Sequence, residues 1–433
     1  MSRSKRTRPP RFNFYSESVV NDSKDRLLSH QYAALQELQK WFRNENPPIA
    51  LVSMPTGSGK TGVICCLPYF LGDTGVQFDK PVLVIAPGLE IAKQLEEQIL
   101  VSVDRPFENF LIRRKIVHRD DEAHVIPSGV KIEKTSAVAN EQYLKGKEVV
   151  IANAQKFLEG SWEENLPDDL FRLVIVDEAH HFPAPTWLKI IDKFKDHALV
   201  VFFTATPFRS DHQTVVPPPF AYHLRLKEAR ENRIIRGTSF VELPAEAKHD
   251  QDLEDPDTDN DEIFLAILEK VKETQERKNE EQPLPGNVPH MAIAITKNTS
   301  DAEKVVELWN TRFGNGSAIG FHSRVRPQRR LQKMMNSIKS NQVKVVVVVD
   351  MLQEGWDHPP ISIAAVMTRI VSPVKFVQFI GRAQRIVRGT EGPESPGISA
   401  DVITHEKFHQ RQNYDKFLNE DLIDTEMAMP SSE

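Results

Sequence analysis

The chain has 433 residues, 40% of them hydrophobic and 27% charged, with a formal net charge of −6. That length exceeds what one hydrophobic core can organise and implies at least two domains, while the composition excludes global disorder. A negative balance excludes a uniformly basic nucleic-acid coat, so any polyanion-binding surface must be local.

The N-terminal residues carry Arg3, Lys5, Arg6, Arg8 and Arg11 beside two prolines and no apolar stretch, so residues 1–23 read as a basic solvated tail rather than a secretory signal. No apolar run is long enough to span a bilayer, and the expected location is inside the cell, in cytoplasm or nucleus, without membrane association. From about residue 24 short β-branched runs alternate with helix-periodic segments: 48–53, 81–87, 148–153, 172–178 and 198–206. Unbroken runs of this kind predict parallel strands buried on both faces. The pattern resumes at 290–296, 317–323, 344–350 and 361–367, which predicts a second α/β unit. Between them residues 250–262 hold eight acids in thirteen positions. Their spacing fails the calcium-loop pattern, with Asn260 and Ala266 where glycine and glutamate would stand, so a solvated acidic loop before a helix near Ile263 is expected. The adjacent Cys65 and Cys66, the two cysteines of the chain, lack metal-site spacing and read as small buried residues.

The chemistry begins at "MPTGSGKT". A strand-like run precedes it and a helix-like segment follows, the context in which a glycine loop cradles phosphates. Gly57 and Gly59 would turn backbone N–H groups inward, the helix start would add its positive end, Lys60 would reach the outer phosphates and Thr61 would ligate Mg²⁺. The first glycine of the usual pattern is Met54. A second anchor for Mg²⁺ at a neighbouring strand end is Asp177 in "LVIVDEAHH", with Glu178 beside it to orient or deprotonate the attacking water.

With "DEAH" at 177–180, "TATPFR" at 204–209, "LQEGWDHP" at 352–359 and "QFIGRAQR" at 378–385, the chain resembles the superfamily 2 helicases and translocases. It is most similar to the branch holding the motor subunits of type III restriction enzymes, over roughly residues 24–390. In that branch the first loop position is often not glycine. The resemblance implies an α/β fold of two RecA-like P-loop domains in tandem, each a mostly parallel sheet covered by helices. The expected boundaries are 24–225 for the ATP-binding domain, 226–400 for the helicase domain containing the acidic loop, and 401–433 for a C-terminal tail.

The resemblance further implies ATP and Mg²⁺ as cofactors, with the nucleotide on Thr56, Gly57, Ser58, Gly59, Lys60 and Thr61 and Gln31 reading adenine; Phe14 is a candidate to stack on it. His180, Thr204 and Thr206 resemble the segment coupling hydrolysis to domain movement, and Gly355 and Asp357 a second-domain loop near nucleotide and strand. Glu178, Gln378, Arg382 and Arg385 are the catalytic candidates. An arginine finger is worth about 10³ to 10⁵ in rate, so a site divided between two domains works when they close. Asn153 stands where relatives place a threonine against nucleic acid, and a strand-end turn is an equal reading. Trp356 fits sheet packing better than base stacking.

The expected activity is ATP-dependent movement on nucleic acid, DNA rather than RNA, at a cleft between the domains. The alternative is a nucleic-acid-stimulated ATPase that works as a sensor or switch without sustained unwinding. No nuclease constellation follows residue 385, so the expectation is a motor without its own cutting domain, or one whose nuclease or other subunit is a separate chain.

Overall fold

The computed structural model describes residues 14, 16–44, 46–76, 78–100, 109–117, 125–131, 141–153, 166–179, 184–205, 219–245, 260–322, 334, 336–338, 340–349, 358–387 and 399–418. Apart from the short loop Pro55–Ser58, the chain divides into two compact units between Leu224 and Arg225.

The first unit opens with α1 (Glu17–Arg26), capped by the Ser16 hydroxyl accepting from the Val19 N–H, and α2 (Ser29–Arg43). Then follow β1 (Ile49–Ser53), α3 (Lys60–Asp73), β2 (Val82–Ala86), α4 (Leu89–Ile99), α5 (Phe110–Arg113), β3 (Gly129–Lys131), α6 (Glu141–Lys145) and β4 (Val149–Asn153). The unit closes with β5 (Leu173–Val176), α7 (Ala184–Phe194), β6 (Leu199–Thr204) and β7 (Phe220–His223). Its seven strands lie in the order β3-β4-β2-β5-β6-β1-β7, every pair parallel.

The strand period of two sorts side chains between faces. Leu83, Ile85, Val174, Val176, Val200 and Phe202 pack with Leu144, Phe171, Ile190 and Phe194 on one face. Val82, Val84, Val149 and Ile175 point to the other, toward Ile64, Pro68 and Leu111. α3 is buried nearly all round, which explains its lack of a polar face and the burial of both cysteines. Burial pushes the Cys66 thiol up to about 12 and raises Cys65 well above its ordinary value, so both act as small core residues.

The second unit runs α8 (Leu226–Glu231), β8 (Gly237–Leu243), α9 (Asn260–Glu281), β9 (Met291–Thr296), α10 (Thr299–Phe313), β10 (Ala318–Phe321), β11 (Val345–Val349), β12 (Ile361–Val366), α11 (Pro373–Gly381) and β13 (Ser399–His405). The strand order is β10-β11-β9-β12-β13-β8, again all parallel. Met291, Ile293, Val346 and Val348 meet Phe376, Phe379 and Ile380 of α11 on one face. Ala292, Ala294, Val345 and Val347 meet Phe264, Leu268 and Val271 of α9 and Trp309 of α10 on the other. Both faces are covered by helices, as parallel sheets require.

Three sequence expectations change. Residues 17–23 belong to α1, with Val19 buried, because the first helix covers α3 rather than trailing into solvent. Residues 401–418 are not a tail: β13 is an inner strand, and Tyr414 and Phe417 join the core beside α11. Phe14 is 2% exposed and packs edge-on against Tyr69 and tilted against Phe78, so it is a core ring and not a platform for adenine. The acidic positions 250–259 and Trp356 lie outside the described residues.

Candidate nucleotide site

β1, β5 and β6 lie on the same stretch of one parallel sheet, so their C-terminal ends open on one edge, the usual place for a ligand in such folds. The loop after β1 is tied down at its first residue, where the Met54 N–H donates to the Thr204 carbonyl at the end of β6 (3.0 Å). Met54 is fully buried. The left-handed backbone angles that require glycine fall instead at Gly57 (φ 87°) and Gly59 (φ 88°). This is the physical reason that a methionine is tolerated at the first loop position. Between them the loop tightens on itself: the Ser58 N–H and hydroxyl both donate to the Pro55 carbonyl, at 3.2 and 2.7 Å.

Lys60 is the first residue of α3 and 7% exposed. Its ammonium donates to the Met54 carbonyl at 3.4 Å and pairs with the Glu178 carboxylate at 3.3 Å. Thr61 follows in the first helical turn, where the N–H groups have no partner inside the helix and the helix dipole favours anions.

The acidic pair follows β5. The Asp177 N–H donates to the Ile85 carbonyl (2.9 Å), which carries the β2–β5 ladder one residue further, and Asp177 is buried. The Asp177 carboxylate accepts the Glu178 N–H at 2.9 Å. Glu178 itself has φ 45°, a left-handed conformation uncommon for a residue with a side chain. Strain of this kind costs on the order of 1 kcal/mol or more and concentrates where side-chain direction matters. Here it accompanies a carboxylate that reaches Lys60.

Gln31 occupies a place that the sequence does not reveal. It is buried; its Nε2 donates to the Gly59 carbonyl (2.7 Å) and its Oε1 accepts the Leu28 N–H (3.0 Å). The amide thus braces the phosphate loop from beneath while closing the first turn of α2. A Cβ at Gly59 would stand 2.5 Å from Gln31 Nε2, and one at Gly62 would stand 2.7 Å from both Gln31 Nε2 and Phe110 Cζ. Both glycines are needed for close approach, and Gly59 for its backbone angle as well.

The structure therefore brings Gln31, Gly59, Lys60, Asp177, Glu178 and Thr204 together at one end of the first sheet. Thr56 and Thr61 are half-exposed in the loop and the first turn of α3. In the second unit Gln378 lies on α11 and is buried, Arg382 is the C-cap residue of α11, and Arg385 follows three residues later. Asn153 ends β4 and is buried. His180, Thr206, Gly355 and Asp357 lie outside the described residues.

The donor set suits Mg²⁺ carried by a triphosphate. Among the described residues no cluster of three or more His, Cys, Asp or Glu side chains forms a metal cage. A hydroxyl at Thr61 and a carboxylate at Asp177 are the sparse protein ligands that Mg²⁺ accepts when phosphates and water supply the rest.

Residues 24–209 match the family described as type III restriction enzyme, res subunit. Over that stretch the chain is related to the superfamily 2 helicases of the Res branch. A provisionally named helicase 22 of the Sulfolobus islandicus filamentous virus is 23% identical over 258 residues, which are 56% of this chain and 44% of the viral protein. The chain thus spans less than half the length of the curated relatives it matches. Among solved structures, S. cerevisiae Dbp5 bound to RNA and ADP BeF3 superposes with a TM-score of 0.56 at 14% identity, over 93% of this chain and 91% of that one. Mycobacterium smegmatis helicase Lhr bound to ssDNA and AMP-PNP gives 0.56 at 15%, over 90% and 47%. At these identities the likeness establishes the fold, two RecA-like domains in tandem. No helix among the described residues is long and apolar enough to cross a membrane.

Proposed function

We propose that the chain is an ATP-dependent helicase or translocase that hydrolyses ATP while moving on nucleic acid, DNA in preference to RNA, inside the cell. The observation that carries this reading is the Lys60–Glu178 pair, a phosphate-binding ammonium and a candidate general base 3.3 Å apart where β1 and β5 end. Both Dbp5 and Lhr adopt this fold with polynucleotide bound, one with RNA and one with DNA.

In this reading the glycine loop and the α3 N-terminus hold the β- and γ-phosphates, and Lys60 neutralises them. Thr61 and Asp177 would hold Mg²⁺, which would supply positive charge to the phosphate oxygens. Glu178, aimed by its unusual backbone angle and its ion pair, orients the attacking water and takes its proton. Water oxygen bonds to the γ-phosphorus as the bond to the β,γ-bridging oxygen breaks, leaving ADP and phosphate. Arg382 and Arg385 of the second domain, with Gln378, supply positive charge and hydrogen bonds to the transferring group, so hydrolysis follows domain position. Thr204 and Thr206, with His180, couple that event to movement, and Gly355 and Asp357 serve near the nucleotide and the tracked strand.

The test is ATP turnover over single- and double-stranded DNA and RNA, with strand and triplex displacement measured alongside. Turnover is expected to rise severalfold with a preferred polynucleotide and to fall steeply with salt. Lys60→Ala abolishes it, and Glu178→Gln abolishes it while still retaining ATP. Turnover indifferent to every polymer would sink the reading, and stimulation without displacement would recast the chain as a switch.

A further inference from the structure

Just before β8 lies Arg236, 1% exposed, whose guanidinium is met by carbonyl oxygens. Nη1 donates to the Ile361 carbonyl at 2.6 Å and to the Ala383 carbonyl at 3.0 Å; Nη2 donates to the Pro359 carbonyl at 3.1 Å. The backbone of the same residue pairs with the next position of the same turn: the Arg236 N–H donates to the Gln384 carbonyl at 2.7 Å, and Gln384 Nε2 donates to the Arg236 carbonyl at 3.2 Å. Burial lowers the guanidinium to about 9, which still leaves it charged at neutral pH.

The placement is chemically specific. α11 ends at Gly381, and the carbonyls that follow have no partner within the helix. Ala383 and Gln384 belong to this stretch and sit between Arg382 and Arg385 in sequence. A cation at a helix C-terminus also meets the negative end of its dipole. The planar guanidinium can reach several acceptors at fixed angles, which an ammonium on a single carbon cannot. Of the other acceptors, Pro359 lies two positions past the "EGWD" pattern and Ile361 begins β12. One side chain therefore fixes the arginine-bearing turn against the segment that leaves the second-domain loop.

We propose that Arg236 is a positioning residue for ATP hydrolysis: it clamps the 382–385 turn to the start of β12, so that Arg382 and Arg385 are presented from a rigid backbone. This rests on the function proposed above. It assigns a role to a residue that lies outside every motif and that touches no reacting atom.

The test uses the full chain and two variants. Arg236→Lys keeps the charge but gathers its N–H donors on one nitrogen, which does not span the carbonyls that Nη1 and Nη2 reach separately, and Gln384→Ala removes one bond of the same clamp. Expected is a fall in polynucleotide-stimulated kcat of about 10- to 100-fold for Arg236→Lys, smaller for Gln384→Ala, with KM for ATP held within about twofold. Amide hydrogen exchange, which needs no activity, should accelerate at His358 and Ile361 and across 381–387 and stay unchanged across β9 and β11. Unchanged kcat would overturn the proposal, as would exchange rising evenly over the whole second unit, the mark of a structural prop. If the parent hydrolyses no ATP with any polymer, the functional reading falls by itself, and the exchange pattern still decides whether Arg236 clamps the turn.

Discussion

Gly59 joins two constraints in one atom position. Its φ of 88° would cost alanine about 1 kcal/mol or more, and the added Cβ would press on Gln31 Nε2 at 2.5 Å. Gly59→Ala should therefore lower stability and weaken binding of a fluorescent ATP analogue. Adding Gln31→Ala relieves the contact but not the angle, so the double variant should recover only part of the loss in a double-mutant cycle. A Gly59→Ala protein as stable as the parent would refute this. The loop's chemistry is legible in "TGSGKT" because its residues are contiguous. The Gln31 brace is not, because the partner carbonyl lies 28 residues away and a helical glutamine reads as surface.

His290 is fully buried, with Nε2 2.7 Å from the Gln282 carbonyl and Nδ1 2.7 Å from the Ser362 hydroxyl. A carbonyl can only accept, so the proton sits on Nε2 and Nδ1 accepts from serine. Burial lowers the imidazole from 6.5 to about 4, aided by the nearby charges of Lys278 and Arg236. Between those pH values the unfolded chain binds a proton that the folded chain does not. Stability is therefore complete above about 6.5 and is lost as pH falls toward 4, by at most about 3 kcal/mol. Denaturation curves from pH 7 to 4 should show this loss, and His290→Gln should flatten it; an unchanged slope would reject the assignment.

At the scale of elements, α9 and β13 are joined by a buried ion pair, Lys278 to Asp401 at 2.7 Å, with Lys278 also donating to the Ser399 carbonyl at 2.6 Å. Burial works against ionisation of Asp401, yet the Lys278 charge and hydrogen bond hold its carboxyl below the usual range. Breaking one side of such a pair leaves an uncompensated charge. Asp401→Ala should cost about 3 to 5 kcal/mol in denaturant titration, and adding Lys278→Met should recover much of it. If the single variant unfolds with the parent's midpoint, the pair contributes nothing.

Legibility divides the elements in the same way. The runs that became β1, β2, β4, β5, β6, β9, β11 and β12 are β-branched and apolar because both faces are covered. β8, "GTSFVEL", has every residue only partly buried, and β13, "SADVITH", carries an aspartate inward to meet Lys278. Neither shows the unbroken apolar signature. α9 was expected near Ile263 and starts at Asn260.

For the whole molecule, the limit of the second unit is open to a direct trial. A chain ending at residue 398 loses β13, Tyr414 and Phe417, whereas one ending at 418 keeps them. The shorter chain should be insoluble or lack a cooperative second transition, and the longer should melt like the parent; two equally stable products would restore the tail reading. The tandem fold was readable because motif order fixes it. The arginine-bearing turn was readable as a motif, but not its attachment to Arg236, since "RIIRG" has no local pattern that distinguishes a clamp from a loop.

Among the described residues β8 is an edge strand of the second sheet, and its neighbour there is β13. Ser239 and the Asp401 that it hydrogen-bonds are 162 residues apart. On a ribosome adding about 5 to 20 residues per second, β8 emerges roughly 8 to 30 seconds before β13 has been synthesised. During that interval the nascent chain displays an unsatisfied strand edge, so successful maturation of the second unit depends on keeping other copies away until translation is nearly over.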